Sequence, residues 1–268
     1  MTYPSKVTHG VTTARSLPTA AANRIAQHSP LHSPQPRPRS LMRKYMVSSL
    51  GADGAPRNSE HIAPASLPFE SAFAAFARGT MIATLQGPRS IEDIAPGTML
   101  ITRDGPPQPV AWVGSMTLVP SAPVENPFQL RLARIMADSF GLSRPAPDLL
   151  LGHGARLLQS PAALREIALQ NDLLTPARAF IDGSGVIEIT PPAPVLLYHL
   201  CLPQHAVIRA AGLEVETYHP GTSLLRDMAQ NTRTLFLSLF PHITAADDFG
   251  SLAYPRAGQS TLERLHLA

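Results

Sequence analysis

From residue 76 to residue 114, Gly or Pro cuts every apolar or β-branched run after about five residues. An ordinary helix needs ten or more residues without such breaks, so this stretch predicts short strands joined by tight turns. Met81 to Leu85 forms one such run, and Gln86-Gly87-Pro88 turns the chain. Ser90 to Ile94 is a short apolar and acidic segment, turned again by Ala95-Pro96-Gly97. Met99 to Thr102 and Val110 to Val113 then flank Asp104-Gly105, a strong hairpin signal between apolar runs.

Composition supports a β-rich, turn-rich core carrying an irregular segment. Charged residues are only 15% of the 268 residues, and 28 are proline. No apolar stretch reaches the length of a membrane span, and the first residues contain no secretory apolar region. A single cysteine, Cys201, excludes an intramolecular disulfide framework and a multi-cysteine zinc site. It leaves the compartment open. Residues 1–60 carry eight Lys/Arg against Asp53 and Glu60, about +6, whereas the rest carry fourteen against seventeen, about −3. A basic leader can touch an acidic surface, but this one has no interleaved aromatics and no reading motif, which argues against nucleic acid as a partner.

Residues 1–41 are rich in Ser, Thr, Pro, Ala and Arg without periodicity, a composition expected to stay disordered. Met42 is an alternative start. Residues 42–67 read as a small hairpin or linker, with Tyr45 to Val47 and Ser59 to Ala63 as its strands. Phe128 to Ile135 reads as a strand with Gln129, Arg131 and Arg134 facing water, after a proline-broken connection from Met116. Ala162 to Gln170 is a helix candidate, and Val186 to Thr190 is a strand. Val195 to Leu202 and His205 to Val215 read as two strands about a Pro203-Gln204 turn. Residues 222–268 form a helical extension, led by an amphipathic helix over 222–240, with one more turn near Leu262 and Leu265.

Taken in order, Phe76, Gly79-Thr80, Ile91-Glu92-Asp93-Ile94, Pro96-Gly97 and Pro109-Val110-Ala111-Trp112-Val113-Gly114 resemble the opening of a Hint domain. This is the self-processing module of Hedgehog proteins and inteins, here of the bacterial branch. Tyr198-His199 and His205 with Gly212 are similar to that family's last two strands, so the resemblance spans about 68–221. It implies an all-β Hint-like fold of short twisted strands. It also implies a reaction in which a Cys or Ser attacks the carbonyl before it, assisted by a histidine and, in inteins, completed by a terminal Asn.

The resemblance places the nucleophile on Ala75, the histidine on Ala155 and the terminal pair on Glu216-Thr217. None of these can serve. The expectation is therefore no catalytic residues, no cofactor and no metal. The module would be structural or binding, with an unidentified protein as a conceivable partner and an unassigned location. The alternatives are self-cleavage by a displaced nucleophile, or a basic leader docking the module on an anionic partner.

Weak catalytic candidates remain. Thr80 falls where the family's Gly-Thr pair closes a strand. His153 would share a strand face with Ala155. His199 and His205 would lie on adjacent strands and lack a third metal ligand. Ser71 precedes the domain with no evident base, and Cys201 in an apolar strand reads as a small hydrophobe. Asp93, Asp104 and Asp182 read as turn formers.

Overall fold

The computed structural model describes residues 41–51, 53–160 and 172–258; residues 1–40 of the leader, the Ala162 to Gln170 helix candidate and the turn near Leu262 lie outside them. The chain begins with β1 (Met42–Leu50) and β2 (Pro56–Pro64), then a one-turn helix α1 (Leu67–Ser71) and β3 (Phe76–Ala77). β4 (Met81–Thr84), β5 (Gly87–Ser90), β6 (Met99–Leu100), β7 (Gln108–Pro109) and β8 (Trp112–Leu118) follow. Next come β9 (Leu132–Ile135), β10 (Leu149–Leu151), β11 (Arg156–Leu158), β12 (Leu174–Pro176) and β13 (Val186–Ile189). β14 (Val195–Cys201), β15 (Val207–Ala210) and β16 (Leu213–Glu216) precede two short helices, α2 (Leu224–Asp227) and α3 (Gln230–Leu237). No described helix is long and apolar enough to cross a membrane.

The strands form two sheets, ordered β13-β9-β10-β3-β14-β8-β1-β2 and β12-β11-β16-β15-β4-β6-β7, with β5 added against β4. β14 sits mid-sheet, paired on both edges, and its two faces are each covered by a core. Its two-residue period sends Tyr198 and Leu200 into one core, with Phe76, Ile82 and Ile208. Leu197 and Cys201 point into a second core with Tyr45, Phe73 and Trp112. β1 alternates in the same way, burying Tyr45, Val47 and Ser49 between more accessible neighbours. It hydrogen-bonds to β2 on one side and runs along β8 on the other, pairing Tyr45 with Met116 and Ser49 with Trp112. The hairpin therefore shares the sheet of the strands after residue 75.

Trp112 is the hub of the second core. Phe240 stacks on it at 4.8 Å, Phe73 meets it edge-on at 5.2 Å, and its indole N–H donates to the Leu239 carbonyl at 2.8 Å. A Cβ at Gly114 would lie 2.1 Å from the indole ring, so a side chain there would displace the tryptophan. Through Trp112 the upstream segment and the C-terminal extension are packed into one aromatic cluster.

Several expected elements differ. Residues 127–130 form a 3-10 turn rather than strand, and Gln129 is buried, its amide donating to Glu70 at 2.7 Å and to the Ala65 carbonyl at 3.1 Å. A buried carboxylate recruited it, which a local polarity pattern does not reveal. Met116 to Leu118 continue β8 instead of starting a connection. His205 to Val215 is two strands: Ala211 and Gly212 both take positive φ, 47° and 86°, and turn β15 back onto β16. β14 pairs with β3 and β8, not with β15, because the chain crosses between sheets at residues 202–206. The helix expected over 222–240 breaks at Met228, whose ψ of 139° is extended.

Candidate functional site

The dipeptide Ala74-Ala75 enters β3 with neither residue exposed. The Ala75 N–H donates to the Tyr198 carbonyl at 3.0 Å. The turn between β10 and β11 supplies two donors in return: Gly152 N–H to the Ala75 carbonyl at 2.9 Å and Gly154 N–H to the Ala74 carbonyl at 2.8 Å. A Cβ at Gly152 would stand 2.4 Å from the Ala74 oxygen, and one at Gly154 would stand 2.2 Å from the Ser71 oxygen. Only bare backbone fits between residues 71–74 and this turn. The Ala74 carbonyl thus has an N–H aimed at it, the donor an oxyanion would need. The Ala75 side chain is a methyl group and carries no atom that could attack it.

Ala155 is buried behind this turn, and its carbonyl accepts from Ala177 N–H at 3.0 Å. His153 sits in the turn itself, not on a strand. Both of its ring nitrogens are shielded from solvent without a partner among the described residues, and Phe128 meets the ring edge-on at 6.0 Å. Burial, with Arg178 and Arg43 adding to it, pushes its pKa down to about 4. Thr80 donates its hydroxyl to the Ala77 carbonyl at 2.7 Å and closes the turn after β3. Cys201 is buried, and burial raises its pKa well above the ordinary thiol value. Asp182 accepts from Ser184 and Val186 N–H at 2.8 and 2.9 Å, as an Asx turn does.

A second constellation gathers at the end of β16. Glu216, almost fully buried, accepts from His205 Nε2 at 3.0 Å and Arg256 Nε at 2.8 Å on one oxygen, and from Arg156 at 3.4 Å on the other. Burial alone would raise its pKa, but the His205 hydrogen bond and the two guanidinium charges outweigh that and hold it at about 2. The Nδ1 of His205 accepts Ala253 N–H at 2.9 Å, which leaves Nε2 to carry the proton toward Glu216. His219 is held in the same manner, with Nδ1 accepting Gly221 N–H at 2.8 Å and Nε2 donating to the Gly250 carbonyl at 3.0 Å. Arg256 also donates to the His219 carbonyl at 2.7 Å. These bonds tie residues 250–256 onto the domain.

His199 lies apart from His205, on a different sheet from the strand that follows His205. Its Nδ1 accepts Leu200 N–H at 3.1 Å, so Nε2 bears the hydrogen, and burial lowers its pKa to about 3. Among the described residues no group of three or more His, Cys, Asp or Glu is placed to hold a metal. The structure brings His199, Glu216, Arg156, Arg256 and His219 to one cleft of about 230 Å³, whose rim includes Ser71 and Gly154. Sequence reasoning weighed His199 and His205 but missed the two arginines, which arrive from 100 residues apart. One signal was available: Glu216 ends the strand Leu213–Glu216, where an inward carboxylate demands cationic partners.

Two sheets of short strands, with a clamped and fully buried dipeptide leading into β3, define an all-β protein. The Hint domain family model matches residues 74–222, over half of the chain, and the chain belongs to that family. The bacterial intein-like domain from Clostridium thermocellum is similar at 16% identity, over 55% of this chain and 99% of that one, with a TM-score of 0.33. The AceL NrdHF class 3 split intein, in a splice-inactive variant, is similar at 11% identity over 54% and 97%, with a TM-score of 0.37. No curated protein matches the chain.

Proposed function

We propose that this Hint protein does not cleave itself, and that its domain acts as a structural or binding module that holds its own flanks. The carrying observation is the Ala74-Ala75 linkage, which has no nucleophilic atom, no exposure and both carbonyls engaged by backbone donors. The flank before it supports the same reading. Tyr45 packs on Phe73 at 4.5 Å, and Arg43 and Gln129 both bind Glu70, so residues that a self-cleaving module would release are core here.

The intact mass of the purified chain tests this, before and after incubation with a thiol or hydroxylamine. A single full-length species, unchanged by either reagent, is the expected result. A fragment beginning at or near Ala75 would refute it and favour a displaced nucleophile.

A further inference from the structure

The cleft beside β16 has an imbalance of hydrogen-bonding groups. Its one carboxylate, Glu216, is saturated, with Oε1 serving His205 and Arg256 and Oε2 serving Arg156. Its donors are not. Nη1 of Arg256, and Nε and Nη2 of Arg156, have no acceptor among the described residues. The Nε2–H of His199 likewise has no acceptor there, although the residue is only 2% exposed and lines the cleft. That ring is held in place edge-on by Phe76 at 5.9 Å and Tyr218 at 5.3 Å. A rigid donor that opens into the cleft is available to an acceptor from outside the chain, and no rotamer search is needed to present it.

Charge and shape narrow the partner. Two guanidiniums face one carboxylate, so the cleft carries one net positive charge when its histidines are neutral. Leu67, Pro68, Pro220 and Leu224 supply apolar wall around those donors. At about 230 Å³ the space lies just below the roughly 300–1,000 Å³ of pockets for drug-sized ligands.

We infer that this cleft binds a small monocarboxylate with a short apolar body, its carboxylate taken by His199 Nε2–H and the spare donors of Arg156 and Arg256. A neutral molecule would leave the charge unmatched, and a bare inorganic anion would leave the apolar wall wet. The inference gives a ligand class to the binding reading above, and it stands or falls separately from the absence of self-cleavage.

The test is titration of the full-length chain, labelled in its histidine rings, with n-butyrate, butyramide and inorganic phosphate, followed by ring nitrogen NMR. Saturable movement of the His199 Nε2 resonance with butyrate, and none with butyramide, is the expected result. In His199→Phe the butyrate affinity should fall about tenfold or more, the usual consequence of losing a hydrogen bond to a charged group. If that variant does not fold, the native titration decides alone. No movement with butyrate, equal movement with butyramide, or phosphate binding as tightly as butyrate would each overturn the proposal. Butyrate binding to a chain that also cleaves itself would keep this inference and sink the previous one.

Discussion

Lowering the pH should unfold this protein through its histidines well before its carboxylates matter. Burial leads the causes that depress His153, His219 and His242 to about 4 and His199 to about 3, from an ordinary 6.5. A depressed folded pKa means that the unfolded chain binds the proton first. The stabilisation is therefore complete above pH 6.5 and is lost as the pH falls toward 4. Near pH 5.5 each of these side chains is mostly protonated when unfolded and mostly neutral when folded. Glu70 runs the other way, because burial raises its pKa and the folded state keeps its proton longer. His242 is only partly buried and contributes less. Unfolding should then take up about three protons, and at about 1.4 kcal/mol per proton per pH unit the stability should fall by about 4 kcal/mol per unit. Against a typical total of about 5–15 kcal/mol, this is decisive within two pH units. Urea unfolding followed by fluorescence of the chain's one tryptophan, Trp112, measures it between pH 5 and 7. A slope below about 1.4 kcal/mol per unit near pH 5.5 would mean fewer than one proton, and would refute the picture of buried neutral rings.

Other substitutions probe the clamp and the network. His153→Leu removes two shielded nitrogens without partners; it should raise stability by about 1–3 kcal/mol at pH 7 and reduce the acid slope by about one proton's worth, both read from the same urea curves. Gly154→Ala drives a Cβ toward the Ser71 carbonyl and should cost about 2–3 kcal/mol, while Gly105→Ala, whose nearest neighbour would be 3.5 Å away, should be close to neutral in the same assay. Glu216→Gln leaves Arg156 and Arg256 without their counter-charge and should cost about 3–5 kcal/mol, with trypsin cutting after Arg256 much sooner than in the parent; unchanged proteolysis would deny that Glu216 ties down residues 250–256. Ala75→Cys restores an attacking atom in a slot with no exposure and no histidine at 155; the intact mass should stay whole in hydroxylamine, and a new fragment would show that the backbone clamp alone supports acyl transfer.

What was legible depended on distance along the chain. Val195 to Cys201 declared itself as a short apolar run bounded by prolines, as a strand buried on both faces does, and Val186 to Ile189 by the alternation of a half-buried strand. The turn at Ala211-Gly212 hid inside an apolar run, where the alternation survives on both sides and only the Gly marks the reversal. The crossing at 202–206 was hidden for a different reason: a Pro-Gln pair suits a hairpin as well as a change of sheet, and only partners far away choose between them. Gln129, Arg156 and Arg256 were unreadable locally, since each is held by a carboxylate 40 to 60 residues distant.

On the proposed reading, the alanine at 75 and the burial of Phe69, Glu70 and residues 72–74 have one physical meaning. Self-cleavage that releases a product requires a flank that can leave. Phe69 and Phe73 are fully buried, Phe69 against Phe236 at 5.3 Å and Phe73 against Trp112 at 5.2 Å, while β1 runs along β8. Burying a side chain of that size is worth about 1.5–3 kcal/mol, so a cut at Ala75 would leave the two pieces held together by several such contacts and a strand ladder. Cleavage in such a chain would separate nothing. With the flank packed as core, an atom able to attack at residue 75 would put the upstream linkage at risk without freeing anything, and an alanine fills that slot without one.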